Sequence, residues 1–339
     1  MSNGNKESFK WMDEWDKRRN RSPESLLGWS HPGMATTKNQ EIITCDSGES
    51  KILVFTVEGE LVTSWEGNFV DAHGITVAQE ESQEVIWIAD NGSKREFQNS
   101  YEYPPGSGSK SGRGFKCLYG GEEVLELDFP KHSEYKENRY SPTSVAVDEI
   151  GQGGSGDIWV SDGYGANLVH RYSKDGEYNL TIDGSRGAGY FNCPHGIFID
   201  RRRDVPELYV ADRGNSRVQV FDLEGRFIRS FGSDFLTTPS GFSTYNKIMI
   251  IAELNSRLVV IDEADNFVEY LFMDEKAPNY LGWPNEQTAN GTLSRPSTLG
   301  PLKFNSPHGI TVDSRGNIYI AEWLIGGRIT KLKKIENDI

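Results

Sequence analysis

Three of the six histidines in this 339-residue chain occupy one position of an internal repeat. They stand in Ala72-His73-Gly74-Ile75, Pro194-His195-Gly196-Ile197 and Pro307-His308-Gly309-Ile310. Each is followed 14 to 17 residues later by an acid that ends an apolar run: Asp90, Asp212 and Glu322. A neutral imidazole is a good ligand for zinc. Three of them, with a fourth position left free, make the donor set of a catalytic rather than a structural metal site. Imidazole also suits iron, nickel and copper, so ligand type alone does not fix the metal.

Something must bring the three side chains together, and the repeat supplies it. Each copy reads as four short strands with alternating apolar residues and Gly or Asp turns. Arg217–Asp222, a Gly-containing turn and Arg226–Gly232 are one example. The unit recurs six times, with its small residue at Gly33, Gly74, Ser144, Gly196, Gly241 and Gly309. Its strand-ending acid is Asp46, Asp90, Asp162, Asp212, Glu253 or Glu322. Spacing runs from 41 to 70 residues because of insertions at Ser93–Gly114 and Ala277–Asn305. Four-stranded units repeated around a channel predict an all-β fold, a six-bladed β-propeller spanning residues 29–339. The polar segment 1–28 precedes it. The last repeat has about three strands, and a fourth could come from Lys10–Arg21, although that charged stretch reads equally well as a helix.

First strands line a propeller's channel, so the ring positions are Pro32, His73, Thr143, His195, Ser240 and His308. Histidine in alternate blades places three imidazoles about 120° apart around the axis. His31 lies one residue before its ring position and is expected to point elsewhere, in a structural role.

Composition narrows the function. Acids exceed bases by 14, which argues against nucleic acid or an anionic membrane as a partner. There is no apolar run long enough for a transmembrane helix and no apolar signal-peptide core. Three cysteines, Cys45, Cys117 and Cys193, make no disulfide framework. A cytoplasmic protein, expected as a monomer acting on a small-molecule or peptide-derived substrate, is the simplest reading, with export left open.

The repeats resemble NHL repeats. More narrowly, Ser161-Asp162-Gly163-Tyr164, then Pro194-His195, Val210-Ala211-Asp212-Arg213 and Arg217 resemble peptidyl-α-hydroxyglycine α-amidating lyase. That resemblance implies a zinc ion on His73, His195 and His308, with Tyr164 as base and Arg213 as a substrate-polarising cation. It also implies a structural calcium, with backbone ligands near Met34 and Ile75. The implied reaction cleaves an N-acyl carbinolamine, such as an α-hydroxyglycine, to an amide and glyoxylate. Three positions depart from the pattern. Thr44-Cys45-Asp46-Ser47 lacks the family's blade-1 arginine, Ser306 replaces a methionine, and Gly309 replaces a calcium-binding aspartate. Asp46 stands in the neighbourhood of that missing arginine, so a simple peptidyl-α-hydroxyglycine is expected to be a poor substrate and a neutral or cationic group in place of its carboxylate is expected to suit the site better. Trp323 is expected at the cavity mouth, with the Tyr280–Trp283 insertion as its cover. A zinc-dependent hydrolase of an ester, lactone or amide, or a non-catalytic NHL interaction propeller, remain the alternatives.

Overall fold

The computed structural model describes residues 8–13, 15–80, 83–106, 111–297 and 299–335. Six four-stranded antiparallel sheets form a propeller; five are ordered sequentially from the channel outward, and the sixth takes its outermost strand from the N-terminal segment. Their first strands are Met34–Thr36, Ala72–Glu80, Ser144–Val147, Pro194–Asp200, Pro239–Tyr245 and Pro307–Val312. We number the blades 1 to 6 in that order.

The second strands are apolar on both faces because each blade packs against two neighbours. In Ile248–Glu253, Met249 and Ile251 pack toward blade 4, while Ile250 and Ala252 pack toward blade 6. The same alternation gives one buried cluster at each of the six blade interfaces. The strand-ending acids are structural. Asp90 accepts the N–H groups of Val70 and Asp71, Asp212 that of Asn192, and Glu322 those of Asn305 and Ser306. Each carboxylate thus holds the segment that leads into its own blade's first strand.

The ring is closed by the N-terminal segment. Phe9–Met12 pairs antiparallel with Arg328–Lys334 as the outermost strand of blade 6. Among the described residues no helix forms over Lys10–Arg21; the single α-helix is Pro23–Leu27. The reason lies in the two tryptophans. Trp11 packs on Phe272 and Phe304 between blades 5 and 6. Trp15 packs on Phe55 and Tyr319 between blades 6 and 1, and its indole donates to the Val57 carbonyl at 2.9 Å. An extended chain reaches both seams, and each burial outweighs weak helical propensity. Trp15→Ala is therefore expected to destabilise the fold by about 3–5 kcal/mol. A lowered midpoint in denaturant unfolding would show it.

Candidate metal centre and its rim

The three histidines reach the axis through a local irregularity. In blade 2, Ala72 pairs with Asp90 and Gly74 with Ala89, so His73 has no partner across the ladder. In blade 6, Pro307 pairs with Glu322 and Gly309 with Ala321, which leaves out His308. The ladder of blade 4 slips likewise between Pro194 and Ile197. Such a bulge re-aims the extra side chain, here into the channel. The glycine that follows allows neighbouring blades to approach. A Cβ on Gly196 would lie 2.5 Å from the Ser240 carbonyl oxygen, and one on Gly309 would lie 2.3 Å from that of Pro32.

Three backbone carbonyls, those of Thr143, Ser240 and Pro32, orient the imidazoles. His73 Nδ1 lies 2.6 Å from the Thr143 carbonyl oxygen, His195 Nδ1 2.7 Å from that of Ser240, and His308 Nδ1 3.2 Å from that of Pro32. A carbonyl only accepts, so each Nδ1 carries the proton and each Nε2 presents a lone pair. Ring positions in even blades supply imidazoles; those in odd blades supply the oxygens that hold them. The hydroxyls of Thr143 and Ser161 in turn donate to the His195 carbonyl at 2.9 and 2.7 Å. The candidate ligand atoms of the three histidines all lie within 4.8 Å of one another. Nε2 of His73 and of His308 is buried with no hydrogen-bond partner. Burial, with neighbouring positive and imidazole groups, holds all three well below the ordinary histidine range, in the neutral form a metal requires. Orphaned, convergent, neutral nitrogens of this kind fit a divalent metal ion such as zinc.

Tyr164 and Arg213 stand over the triad. The Tyr164 hydroxyl is 3.3 Å from His195 Nε2, and both terminal nitrogens of Arg213 are 3.4 Å from that hydroxyl. Arg213 also donates to Cys193 Sγ at 3.1 Å. It does not pair with the adjacent Asp212, whose carboxylate binds Arg217 at 2.8 Å. Burial raises the Tyr164 phenol above its ordinary value, and Arg213 opposes that rise.

His31 corrects the reading made from spacing. Its ring lies 5.0 Å from that of His73 and 5.4 Å from those of His308 and Tyr164. Residue 31 precedes the first strand, so strand alternation does not govern its direction. Its Nδ1 meets Asp71 at 3.1 Å. Burial lowers His31 to about 3 and raises Asp71 to about 7, so this contact is a hydrogen bond from a neutral imidazole. Trp323 stacks on His31 at 5.0 Å, and Trp29 stacks on Trp323 at 4.9 Å. Arg95 lies over the rings of Trp29 and Tyr103, and its buried Nε has no partner.

The first insertion therefore contributes Arg95 and Tyr103 to this rim. Tyr280 is instead 54% exposed and lines a groove with Leu281 and Trp283; no ring contact joins it to the histidine centre. Asp46 is also placed differently from expectation. It is buried, bound to Ser25 at 2.6 Å and to Arg18 at 2.8 Å. Burial opposes its charge, but Ser25, the Gly48 N–H and Arg18 hold its carboxyl below the usual range. It is a neutralised anchor for the N-terminal segment, not a free charge facing the channel. Met34 and Ile75 line a cavity of about 380 Å³ along the channel, where Gly309 contributes no side-chain oxygen.

Comparison with known proteins agrees with this architecture. A model of the NHL repeat family matches residues 191–221, within blade 4. NHL repeat-containing protein 3 of Homo sapiens is 30% identical over 62% of this chain and 58% of that protein, less than two thirds of its length. The Mus musculus protein of the same name is 29% identical over 80% of this chain and 70% of its own length. Peptidyl-alpha-hydroxyglycine alpha-amidating lyase 1 of Drosophila melanogaster is 26% identical over 81% of this chain and 47% of that protein. Among solved structures, a streptogramin B lyase superposes with a TM-score of 0.59 at 16% identity, covering 97% of this chain and 99% of the other; it is a likeness of fold.

Proposed function

We propose that this NHL-repeat propeller, similar to an amidating lyase, is a zinc-dependent lyase. It cleaves the carbon–nitrogen bond of an N-acyl carbinolamine such as an α-hydroxyglycine derivative. The observation that carries this reading is the set of three neutral imidazoles with inward, partner-poor Nε2 atoms under a tyrosine and an arginine. In the reaction the carbinol O–H bond and the C–N bond break, and a C=O bond forms. The hydroxyl proton ends on the departing amide nitrogen, so amide and aldehyde together contain every atom of the substrate. Zinc held by His73, His195 and His308 would supply Lewis acidity to an oxygen ligand and favour the anionic form of the nearby phenol.

Tyr164 has the placement to move the proton, because its hydroxyl sits at the mouth of the triad. Arg213 holds that hydroxyl and contributes positive charge. His31, Trp323 and Trp29 form a stacked wall that limits water at the reacting carbon. Arg95 brings a second guanidinium to the rim.

With Asp46 neutralised and two arginines on the rim, a carboxylate next to the reacting carbon is matched rather than repelled. A short N-acyl-α-hydroxyglycine is therefore expected to turn over faster than its carboxamide analogue. Release of amide and glyoxylate in equal amounts tests the lyase reading directly. Hydrolysis of the acyl bond instead, or no product from either compound with zinc-loaded protein, would overturn it.

A further inference from the structure

A second cavity lies where the ring closes, between blades 6 and 1. Its volume is about 570 Å³, and its walls include Arg18, Arg21, Arg295, Arg328 and Ser47. Two of the four guanidiniums are neutralised. Arg18 pairs with Asp16 and Asp46, and Arg328 pairs with Glu322. Arg21 and Arg295 have no carboxylate partner among the described residues. They are fixed by three consecutive carbonyls of one loop: Arg21 donates to Gly326 at 2.7 Å, and Arg295 to Ile325 and Gly327 at 2.8 and 2.6 Å. Arg21 also donates to the Ser25 carbonyl and its hydroxyl. Both charges thus stand beside one three-residue segment.

Carbonyl dipoles orient a guanidinium but do not cancel its charge. Burial lowers both: repulsion from Arg18 adds to it at Arg21, where Asp46 and Asp16 oppose the shift, and repulsion from Arg21 and Arg328 brings Arg295 to about 10. Partly buried like charges are costly unless a counter-charge joins them. This chain carries 14 more acids than bases, yet among the described residues the one further acid on the cavity wall, Asp13, is exposed and accepts from the Trp11 indole at 3.0 Å. We propose that this seam cavity binds a phosphoryl group, held between Arg21 and Arg295 with the Ser47 hydroxyl beside them. A tetrahedral dianion suits two planar forks approaching from different elements. The group could come as free phosphate or as the ester of a small molecule.

Calorimetric titration of the full chain with inorganic phosphate and with glycerol 3-phosphate tests this site. One equivalent of either is expected to bind, and the tighter of the two identifies the source. Arg295→Gln should weaken binding by about tenfold or more, since it removes a charge-assisted contact. Arg295→Lys keeps the charge but loses the fork, and should weaken it less. If the glutamine variant does not fold, the lysine variant decides. His195→Ala should bind as the unaltered protein does, which separates the seam from the histidine centre. Absence of binding, unchanged affinity in the folded Arg295 variants, or loss of binding in His195→Ala would overturn the proposal.

Discussion

Replacing His195 by alanine is expected to strip the protein of its zinc while leaving the propeller folded. Native protein should bind about one zinc per chain. The substituted centre keeps two imidazoles. Losing only a residue that orients a ligand typically costs about 10–100-fold in metal affinity, and losing a ligand should cost more. His73→Ala and His308→Ala should behave alike, because each histidine has the same arrangement of a bulge, a glycine and a carbonyl from the next blade. The fold should survive, since the interface clusters contain none of the three. Metal analysis after dialysis, with circular dichroism as the control for folding, gives the result. Full zinc retention in all three variants would remove the metal centre from consideration.

The second large effect is expected at Tyr164. Phenylalanine there keeps the ring, which meets His73 edge-on at 5.0 Å and lies beneath Arg213 at 5.3 Å. Only the hydroxyl is lost. If that hydroxyl moves the proton, turnover should fall by about 10²-fold or more. A purely structural role predicts a different pattern: altered stability or metal content with turnover nearly preserved. Measuring kcat, KM, zinc content and the unfolding midpoint together separates the two. Undiminished kcat in a zinc-replete Tyr164→Phe protein would assign the proton transfer elsewhere.

The blades and the triad were legible in the sequence for one physical reason. Strand alternation marks the blades and repeat position marks the ring, and His73, His195 and His308 share that ring position, although a bulge rather than alternation aims each into the channel. Ring positions 1, 3 and 5 looked merely small and non-ligating. Their contribution is a backbone carbonyl, which no residue type announces. His31 escaped because it lies before its strand, where alternation has no force. Asp46 was misread because its neutralising partner, Arg18, comes from a segment whose path depends on the tryptophans it carries. Charge at a site depends on contacts, and contacts made by the closing segment are the longest-range ones in the chain. The strand character of Phe9–Met12 was hidden for the same reason: four residues beside many charges become a strand only when blade 6 offers an edge.

The contact between His308 and the Pro32 carbonyl joins positions 276 residues apart. Until the first and last blades meet, one of the three imidazoles has neither its orienting oxygen nor its fellow ligands. Metal capture is therefore linked to ring closure. A metal that binds only the closed ring adds to its stability, and chelation should lower the unfolding midpoint while the propeller stays folded under native conditions. A nascent chain would carry no assembled centre while its first blades fold, and would gain one only as the circle completes. The protein would thus be protected from reacting before it is whole.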